Sequence, residues 1–235
     1  MFNTIRKLTM HKNLVVIPVR GGSKRLPNKN SKLLGGIPLF VHSIRYAKKN
    51  PAFCHKIVVS TDDSELKRIA LKEGVSVVDR PASLSGDLTP TKEVLQHVLL
   101  QESDQYDHVI LLQATNPFRD ELLLKNAFEL YQAGDYDSLM TVSKNQYKLG
   151  KILNDRFVPV NYHFGQRSQD MEPLYFENGS LYISKAQLIQ VGELIGEKNY
   201  PYIDNNPLAK IDIDDADDFE LASYFYNKIN RKISK

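Results

Sequence analysis

Segments with the pattern of a β-strand and segments with the pattern of an α-helix alternate along the first third of the chain. Short apolar runs rich in β-branched residues lie at 14–17, 56–60 and 75–78, and the stretches between them, 38–49 and 65–73, repeat apolar residues at helical spacing. Three strands joined by two helices indicate a parallel sheet with right-handed crossovers. The chain is therefore expected to be an α/β protein that binds ligands at the carboxyl ends of its strands.

The pattern continues to residue 142 and then changes. Residues 143–178 hold short alternating pieces, aromatic residues and polar turns without an amphipathic helix, which is typical of an insertion that leaves the main sheet. We therefore divide the chain into a disordered lead (1–12), an α/β core (13–142 and 179–230) and an inserted arm (143–178). The other predicted elements are helices at 91–101, 121–132, 185–191 and 216–227 and strands at 108–113, 138–142, 179–184 and 209–213.

Bulk properties exclude several classes of protein. The net charge is only +3, there is no long basic block, and no apolar run approaches the roughly 18 residues of a membrane span. The one cysteine, Cys54, rules out an internal disulfide and any multi-cysteine metal site. Residues 1–13 lack the apolar segment of a secretory signal. We expect a cytoplasmic protein without a nucleic-acid or membrane partner.

A cationic, glycine-containing loop follows the first predicted strand. Gly21 and Gly22 allow the backbone to approach a ligand closely and to turn N–H groups toward it, and the loop also carries four cations. A polyphosphate is the ligand that such a loop suits, although the loop is neither a Walker A motif nor G-x-G-x-x-G. The alternative is a solvated basic loop, which its place after a strand of an α/β sheet disfavours. The cations are Arg20, Lys24, Arg25 and Lys29.

An alternating acidic segment, Ile211-Asp212-Ile213-Asp214, lies near the carboxyl end of the chain. On a strand, residues two apart point to one face, which would place the two carboxylates side by side. Two like charges this close need a cation, and Mg²⁺ prefers oxygen ligands shared with substrate phosphates. The alternative is a helix N-terminus, which explains the acidic residues after Asp214 but not the alternation before it.

Two further polar segments follow predicted strands and also have ordinary structural explanations. Residues 113–119 follow the most apolar strand and could be a polar turn, whereas Asp87 and Thr89 could simply cap the helix that begins at Thr91. From its sequence alone, Arg167 in the arm would be an exposed loop cation.

Four ordered motifs resemble the CMP-sialic acid synthetase family, the cytidylyltransferases that activate nine-carbon 2-keto sugar acids. The first is Arg20-Gly-Gly-Ser-Lys-x-x-Pro-x-Lys-Asn30. The second is Gln113-Ala-Thr-Asn-Pro-Phe-Arg119, with Asn116 where serine is usual. The others are residues 167–179 and the Ile-Asp-Ile-Asp segment. The resemblance covers about residues 13–228 and implies a Rossmann-like nucleotidyltransferase fold, with a mainly parallel sheet and a small protruding dimerisation arm.

The resemblance implies a reaction in which the anomeric hydroxyl of a 2-keto-3-deoxy sugar acid attacks the α-phosphorus of CTP and pyrophosphate leaves. The residues that it assigns to catalysis are Lys24, Arg20, Gln113 and Asp214, and the implied ligands of Mg²⁺ or Mn²⁺ are Asp212 and Asp214; no general base is evident. The nucleotide-binding residues that it implies are Arg20, Gly21, Gly22, Ser23, Lys24, Lys29, Asn30, Arg80, Asp87 and Thr91.

The sugar acid would be bound by Gln113, Thr115, Lys151, Arg167, Gln169 and Tyr175. The family exchanges its arm with a second subunit, so a homodimer with shared active sites is implied, in which Lys151 and Arg167 serve either their own site or the neighbour's. Legionaminate, pseudaminate, Kdn and an octulosonate remain alternative acids. The commonest sialate form often has Arg-Arg at 167–168, and Ser168 stands at the second of these positions. Residues 178–183 resemble the sialate and legionaminate types more than the pseudaminate type. A non-catalytic nucleotide-binding regulator is the alternative of another class.

Overall fold

A seven-stranded sheet forms the centre of the protein in the computed structural model, which describes residues 11–233. The strand order is β11-β7-β10-β6-β1-β4-β5. Neighbours run parallel except at β10, which is antiparallel to both β6 and β7. These strands are β1 (Asn13–Pro18), β4 (Lys56–Thr61), β5 (Ser76–Asp79), β6 (His108–Leu111), β7 (Ser138–Lys144), β10 (Tyr175–Lys185) and β11 (Asn199–Ile203).

Helices cover both faces of this sheet. The side chains of Val15 and Ile17 enter one apolar layer with α1, α2 and α4, whereas those of Leu14 and Val16 enter another with α3 and α5. This split follows from the period of two in a strand, which sends successive side chains to opposite faces. The helices are α1 (Leu39–Lys48), α2 (Ser64–Lys72), α3 (Thr91–Gln101), α4 (Leu123–Ala133), α5 (Ala186–Gln190) and α6 (Ala216–Ile233).

The alternating α/β pattern of the first 142 residues is confirmed. Helix α3 has the predicted bounds, and α2 begins at an Asp63 side chain that accepts hydrogen bonds from the backbone N–H groups of Glu65 and Leu66. Helix α4 begins at Leu123 rather than after Asp120, because the Asp120 carboxylate bonds the N–H of Leu122 in a preceding turn.

The predicted strand at 209–213 is wrong. Residues Pro207–Lys210 form a 3-10 turn, and the segment after it joins no sheet; the N–H of Ile213 donates to the carbonyl of Thr115 in the loop after β6. Ile211 and Ile213 are nonetheless buried, because they pack against Leu34, Leu39 and Phe219 in a third apolar cluster with α6. The edge strand β11, which is parallel to β7, was not predicted from the sequence.

The predicted arm begins and ends on neighbouring strands of the central sheet. Its first residues belong to β7 and its last to β10, where Tyr175 pairs with Lys144 and the backbone N–H of Asn145 donates to the carbonyl of Leu174, 2.8 Å away. Between them lies a separate two-stranded hairpin, β8 (Gly150–Leu153) with β9 (Arg156–Pro159).

Two small features complete the fold. Strands β2 (Leu33–Leu34) and β3 (Ile37–Pro38) pair before α1. The predicted disordered lead, 1–12, lies outside the described residues except for His11 and Lys12; the backbone N–H of Lys12 donates to the Asp107 carboxylate. No helix within residues 11–233 has the length and apolar character needed to cross a lipid bilayer.

Candidate active site

A cleft of about 470 Å³ opens at the carboxyl ends of the parallel strands. The loops that follow β1, β5 and β6 form its walls, which is the position expected for a ligand in an open α/β sheet. Most of the residues selected from the sequence line this cleft, although they are far apart along the chain. They are Arg20, Ser23, Lys24, Lys29, Asn30, Arg80, Asp87, Thr91, Gln113, Thr115 and Asp214.

Hydrogen bonds to its backbone hold the loop after β1 in place. The buried Asn30 amide donates to the carbonyl of Arg20, and the N–H of Gly21 donates to the Asp62 carboxylate. A Cβ at Gly21 would lie 2.6 Å from an oxygen of Asp63. Glycine is therefore required here for packing against Asp63, and its N–H does not point into the cleft, contrary to the expectation from sequence.

Gly22 has a different environment from Gly21. No heavy atom lies within 4 Å of the place where its Cβ would be, and neither glycine is among the residues that line the cleft. The charge that the loop presents to a ligand comes from its side chains.

Two carboxylates form ion pairs with four cations of the cleft. Asp87 lies between Arg20 and Lys24, with both nitrogen–oxygen distances 2.5 Å. Hydrogen bonds from Lys24 and Arg20 hold the pKa of the Asp87 carboxyl below its usual range. Asp214 lies between Arg25 (2.7 Å) and Lys29 (3.0 Å). Arg25, which was not among the selected residues, therefore belongs to the site.

The two aspartates of the acidic segment lie close together, although not on a strand. Partial burial would raise the pKa of Asp214, but the hydrogen bond and charge of Lys29, assisted by Arg25, outweigh it and lower that pKa. The Asp212 side chain reaches solvent, yet the surrounding protein desolvates its carboxyl and raises its pKa, and the charge of Asp214 raises it further. Thr115 hydrogen-bonds the Asp212 carboxyl and opposes this rise.

The donor set fits a hard divalent cation. Asp212 and Asp214 offer carboxylate oxygens, and the repulsion between them would be relieved by a positive ion. Within residues 11–233 there is no group of three or more histidine, cysteine, aspartate or glutamate side chains able to hold a metal. A cation here would take its remaining ligands from water or substrate, which is how Mg²⁺ is usually bound beside phosphates.

Arg80 lies on the far wall of the cleft. Its guanidinium donates to the backbone carbonyl of Ser60 at 2.6 Å and to the Ser60 hydroxyl at 3.2 Å. Burial lowers the pKa of Arg80 to about 10, while the charge of Asp62 acts in the opposite direction. Arg80 is therefore a rigid, charged donor at the cleft wall.

The loop after β6 is held by a half-buried cation, Arg119. Arg119 donates to the carbonyls of Gln113 and Ser180, both at 2.6 Å, and to the hydroxyl of Ser43 at 3.0 Å. Its partners are neutral, and burial lowers the pKa of Arg119 to about 10. Arg119 fixes the backbone from which Gln113 faces the cleft. Arg119 is the last residue of the second family motif, 113–119. Its role depends on contacts with β10 and α1, which the spacing of residues in the sequence does not reveal.

The arm residues selected from the sequence lie elsewhere in the described chain. Lys151 is exposed on β8, and the Arg167 guanidinium pairs with Asp170 at 2.7 Å. Gln169 and Tyr175 are also exposed, and none of these four side chains lines the cleft. A single chain therefore brings together most of the residues predicted to bind the nucleotide, but none of these four residues of the arm.

A mainly parallel α/β sheet, with a cleft lined by cations and by Asp87 and Asp214 at the carboxyl ends of its strands, fits the nucleotidyltransferase class. A family profile described as cytidylyltransferase matches residues 14–231. The chain belongs to this cytidylyltransferase family.

Several relatives are similar over most of this chain. An N-acylneuraminate cytidylyltransferase of Streptococcus agalactiae serotype III is 34% identical over 88% of the chain, which spans only 52% of that protein. A CMP-N,N'-diacetyllegionaminic acid synthase of Legionella pneumophila is 36% identical over 89% of this chain and 94% of its own length. A pseudaminic acid cytidylyltransferase of Campylobacter jejuni is 33% identical over 94% of this chain and 98% of its own.

Solved structures share the fold at much lower identity. A CMP:2-keto-3-deoxy-manno-octonic acid synthetase complexed with CTP superimposes with a TM-score of 0.70 at 15% identity, covering 92% of this chain and 99% of that one. A 4-diphosphocytidyl-2C-methyl-D-erythritol synthase from Anaerococcus prevotii gives a TM-score of 0.65 at 14% identity, covering 92% of this chain and 99% of its own. These two likenesses establish the fold.

Proposed function

We propose that this protein joins CTP to a nine-carbon 2-keto-3-deoxy sugar acid of the sialic acid type, giving the CMP-sugar and pyrophosphate. The observation that supports this most is that the cationic loop and Asp214, almost 200 residues apart, meet in one cleft through direct ion pairs. Family membership and relatives named for sialate, legionaminate and pseudaminate support the same reaction class.

CTP would bind with its triphosphate on the loop after β1 and its base toward Arg80. Arg20 and Lys24 lie at the mouth of the cleft and would neutralise phosphate oxygens, with Ser23 and Asn30 supporting the loop. Arg80 would donate to a pyrimidine carbonyl, and the Thr91 hydroxyl lies in the same wall. Charge neutralisation and positioning would supply most of the rate acceleration.

The sugar acid would enter beside Gln113 and Thr115. Its anomeric hydroxyl would bond to the α-phosphorus while the bond to the leaving pyrophosphate breaks, and the hydroxyl proton would pass to solvent water. Gln113 would orient the acid, because its backbone is held by Arg119. Asp212 and Asp214 would hold Mg²⁺ or Mn²⁺, which neutralises phosphate charge when bound. Asp214 would then exchange its contacts with Arg25 and Lys29 for the metal.

The remaining acid-binding residues would come from a second copy of the chain. Lys151, Arg167, Gln169 and Tyr175 do not reach the cleft of their own chain, and the arm exposes large apolar side chains. A homodimer in which each arm completes the neighbouring cleft accounts for both facts. The reaction would take place in the cytoplasm, where CTP is available. The most exposed apolar arm residues are Tyr147, Ile152 and Phe164.

A pyrophosphate-release assay tests the proposal. The protein is incubated with CTP, Mg²⁺ and one acid at a time from a panel of sialate, legionaminate, pseudaminate, Kdn and an octulosonate. We expect release only when CTP and an acid are both present, and loss of at least 100-fold in turnover for Asp214→Ala with the fold retained. Release without an acid, or equal use of ATP and CTP, would refute it; CTP binding without release for any acid would indicate a regulator.

A further inference from the structure

The side chain of Asn116 lies where three segments of the protein meet, beneath the cleft rather than in it. It is 2% exposed and is absent from the cleft lining. We propose that Asn116 is a positioning residue for the acidic pair: it sets the backbone of residues 211–214 so that Asp212 and Asp214 face one cation together. The inference rests on the proposed function and extends it to a residue that touches neither substrate nor metal.

The Asn116 amide nitrogen bridges two carbonyls from distant parts of the chain. It donates to the carbonyl of Asn178 at 2.7 Å and to that of Ile211 at 3.4 Å. Both amide N–H groups of Asn116 are therefore used, one by Asn178 on β10 and one by Ile211, the residue that precedes Asp212. A shorter side chain would leave at least one of these buried carbonyls without its donor.

The neighbouring residue holds the same acidic segment at two more points. The carbonyl of Thr115 accepts from the N–H of Ile213 at 2.9 Å, and the Thr115 side chain hydrogen-bonds the Asp212 carboxyl. The Thr115 hydroxyl also lies 3.3 Å from the Asn116 side-chain oxygen. Since this hydroxyl has one proton, Asn116 and Asp212 are alternative acceptors for it.

Thr115 and Asn116 therefore hold the backbone on both sides of Asp212 by hydrogen bonds. Ile211 is held by Asn116, Ile213 is held by Thr115, and both isoleucine side chains are buried against α6. No sheet fixes this segment, so these contacts take the place of strand pairing. Removing Asn116 would free the Ile211 side of the segment and alter the spacing of the two carboxylates.

Three variants separate positioning from simple stabilisation. Asn116→Ala removes every contact of the amide, and Asn116→Ser restores one hydroxyl donor. Ser143→Ala is the matched control, because the buried Ser143 hydroxyl accepts from the Asn178 side chain at 3.0 Å in the same polar network but has no contact with the acidic segment. Each variant is measured for its melting temperature, for the Mg²⁺ dependence of turnover, and for direct Mn²⁺ binding by electron paramagnetic resonance with CTP present.

We expect Asn116→Ala to weaken Mn²⁺ binding and to raise the half-saturating Mg²⁺ concentration by about 10-fold or more, the range typical of residues that orient metal ligands. The KM for CTP at saturating metal should change by less than about twofold, because the loop after β1 is untouched. Asn116→Ser should recover part of the loss, and Ser143→Ala should lower the melting temperature without changing metal binding.

The proposal is overturned if Asn116→Ala and Ser143→Ala show the same metal dependence after equal losses of melting temperature. If Asn116→Ala does not fold, Asn116→Ser carries the test, with an expected weakening of Mn²⁺ binding of about threefold; wild-type Mn²⁺ binding in that variant would contradict the proposal. Failure of the proposed function would show differently, as wild-type protein that binds Mn²⁺ and CTP but releases no pyrophosphate with any acid.

Discussion

Asp87 occupies the place between Arg20 and Lys24 where a phosphate oxygen would bind in the proposed CTP complex. Its two carboxylate oxygens each lie 2.5 Å from one of these cations. A triphosphate entering the cleft must therefore compete with a charge that the protein already supplies. The family resemblance instead counts Asp87 among the residues that bind the nucleotide, and the two roles predict opposite effects of mutation.

Asp87→Asn is expected to strengthen the binding of CTP and of inorganic pyrophosphate several-fold, because it removes a negative charge from beside both cations. Isothermal titration calorimetry on the two ligands measures the change, which should shrink as salt is added. Asp79→Asn, which removes a charge paired with Lys67 outside the cleft, is the matched control. Weaker CTP binding with unchanged pyrophosphate binding would instead place Asp87 against the nucleoside.

His108, at the start of β6, gives the protein a pH dependence separate from catalysis. Burial, with the nearby His11, lowers the pKa of His108 to about 4. The unfolded chain then binds more protons than the folded one between pH 4 and about 6.5, so stability falls as the pH is lowered through that window. The full shift is worth roughly 3 kcal/mol.

His108→Gln should therefore lose less stability than wild type between pH 7 and pH 4.5, by about 2 kcal/mol. Urea unfolding at both pH values measures this difference, and acidic groups common to both proteins cancel. His163→Gln, on the exposed arm, controls for the loss of one imidazole. Parallel pH profiles for wild type and His108→Gln would show that burial of His108 does not control acid stability.

At the scale of elements, the irregular part of β10 connects the sheet to the site. Pairing with β7 breaks its register between Glu177 and Tyr182, and Gly179 there has a φ of +74°. A Cβ on Gly179 would lie 2.7 Å from the side-chain oxygen of Asn116 and 3.1 Å from that of Gln113. Glycine is required at this position by its backbone conformation and by its neighbours.

Gly179→Ala is expected to destabilise the fold by at least about 1–2 kcal/mol and to reduce turnover, because the new methyl group displaces Asn116 and Gln113. Chemical denaturation and the pyrophosphate assay measure the two effects. Gly22→Ala is the matched control for stability, since its φ is ordinary and its Cβ would meet open space. Equal stability of the two variants would contradict this account of the bulge.

The sequence predicted β1, β4, β5 and β6 well because each contains an apolar run between clear turns. It failed at 209–213, where an alternating pattern arises from packing of Ile211 and Ile213 against α6 rather than from strand pairing. It failed again at β11, an edge strand that contains Pro201 and has no fully buried residue. Periodicity reports which side chains are buried, but not which element buries them.

The candidate site likewise contains residues that the sequence identified and residues that only the fold reveals. Charged residues such as Lys24 and Asp214 carry their chemistry in their side-chain type, so motifs identified them. Asn116 and Arg119 act through carbonyls on β10 and near α6, and these contacts depend on the three-dimensional arrangement alone. Arg25 was counted as a loop cation, and only the fold shows that it pairs with Asp214.

At the scale of the whole molecule, the cleft of one chain lacks the arm residues that its family resemblance assigns to the acid. We therefore expect complementation between two inactive proteins, Lys24→Ala and Arg167→Ala. When they are mixed and allowed to exchange subunits, a heterodimer holds one cleft with an intact loop and an intact neighbouring arm. The mixture should recover up to about a quarter of wild-type turnover, as the statistics of subunit exchange require.

Sedimentation velocity on the same samples establishes whether dimers form and exchange. Ile152→Asp, at a side chain 78% exposed on β8, should shift the protein toward monomer, whereas Leu100→Asp, 74% exposed on α3, should not. Absence of recovery in a mixture of exchanging dimers would place Arg167 in the cleft of its own chain.

The arm leaves β7 and re-enters at β10 through adjacent, hydrogen-bonded positions, Asn145 and Leu174. Because its two ends are already held together, we expect changes in the length or composition of 146–173 to leave β7 and β10 in place. On the proposed function, we expect chimeras that exchange residues 146–173 between related chains to change the acid that is used and to retain CTP binding.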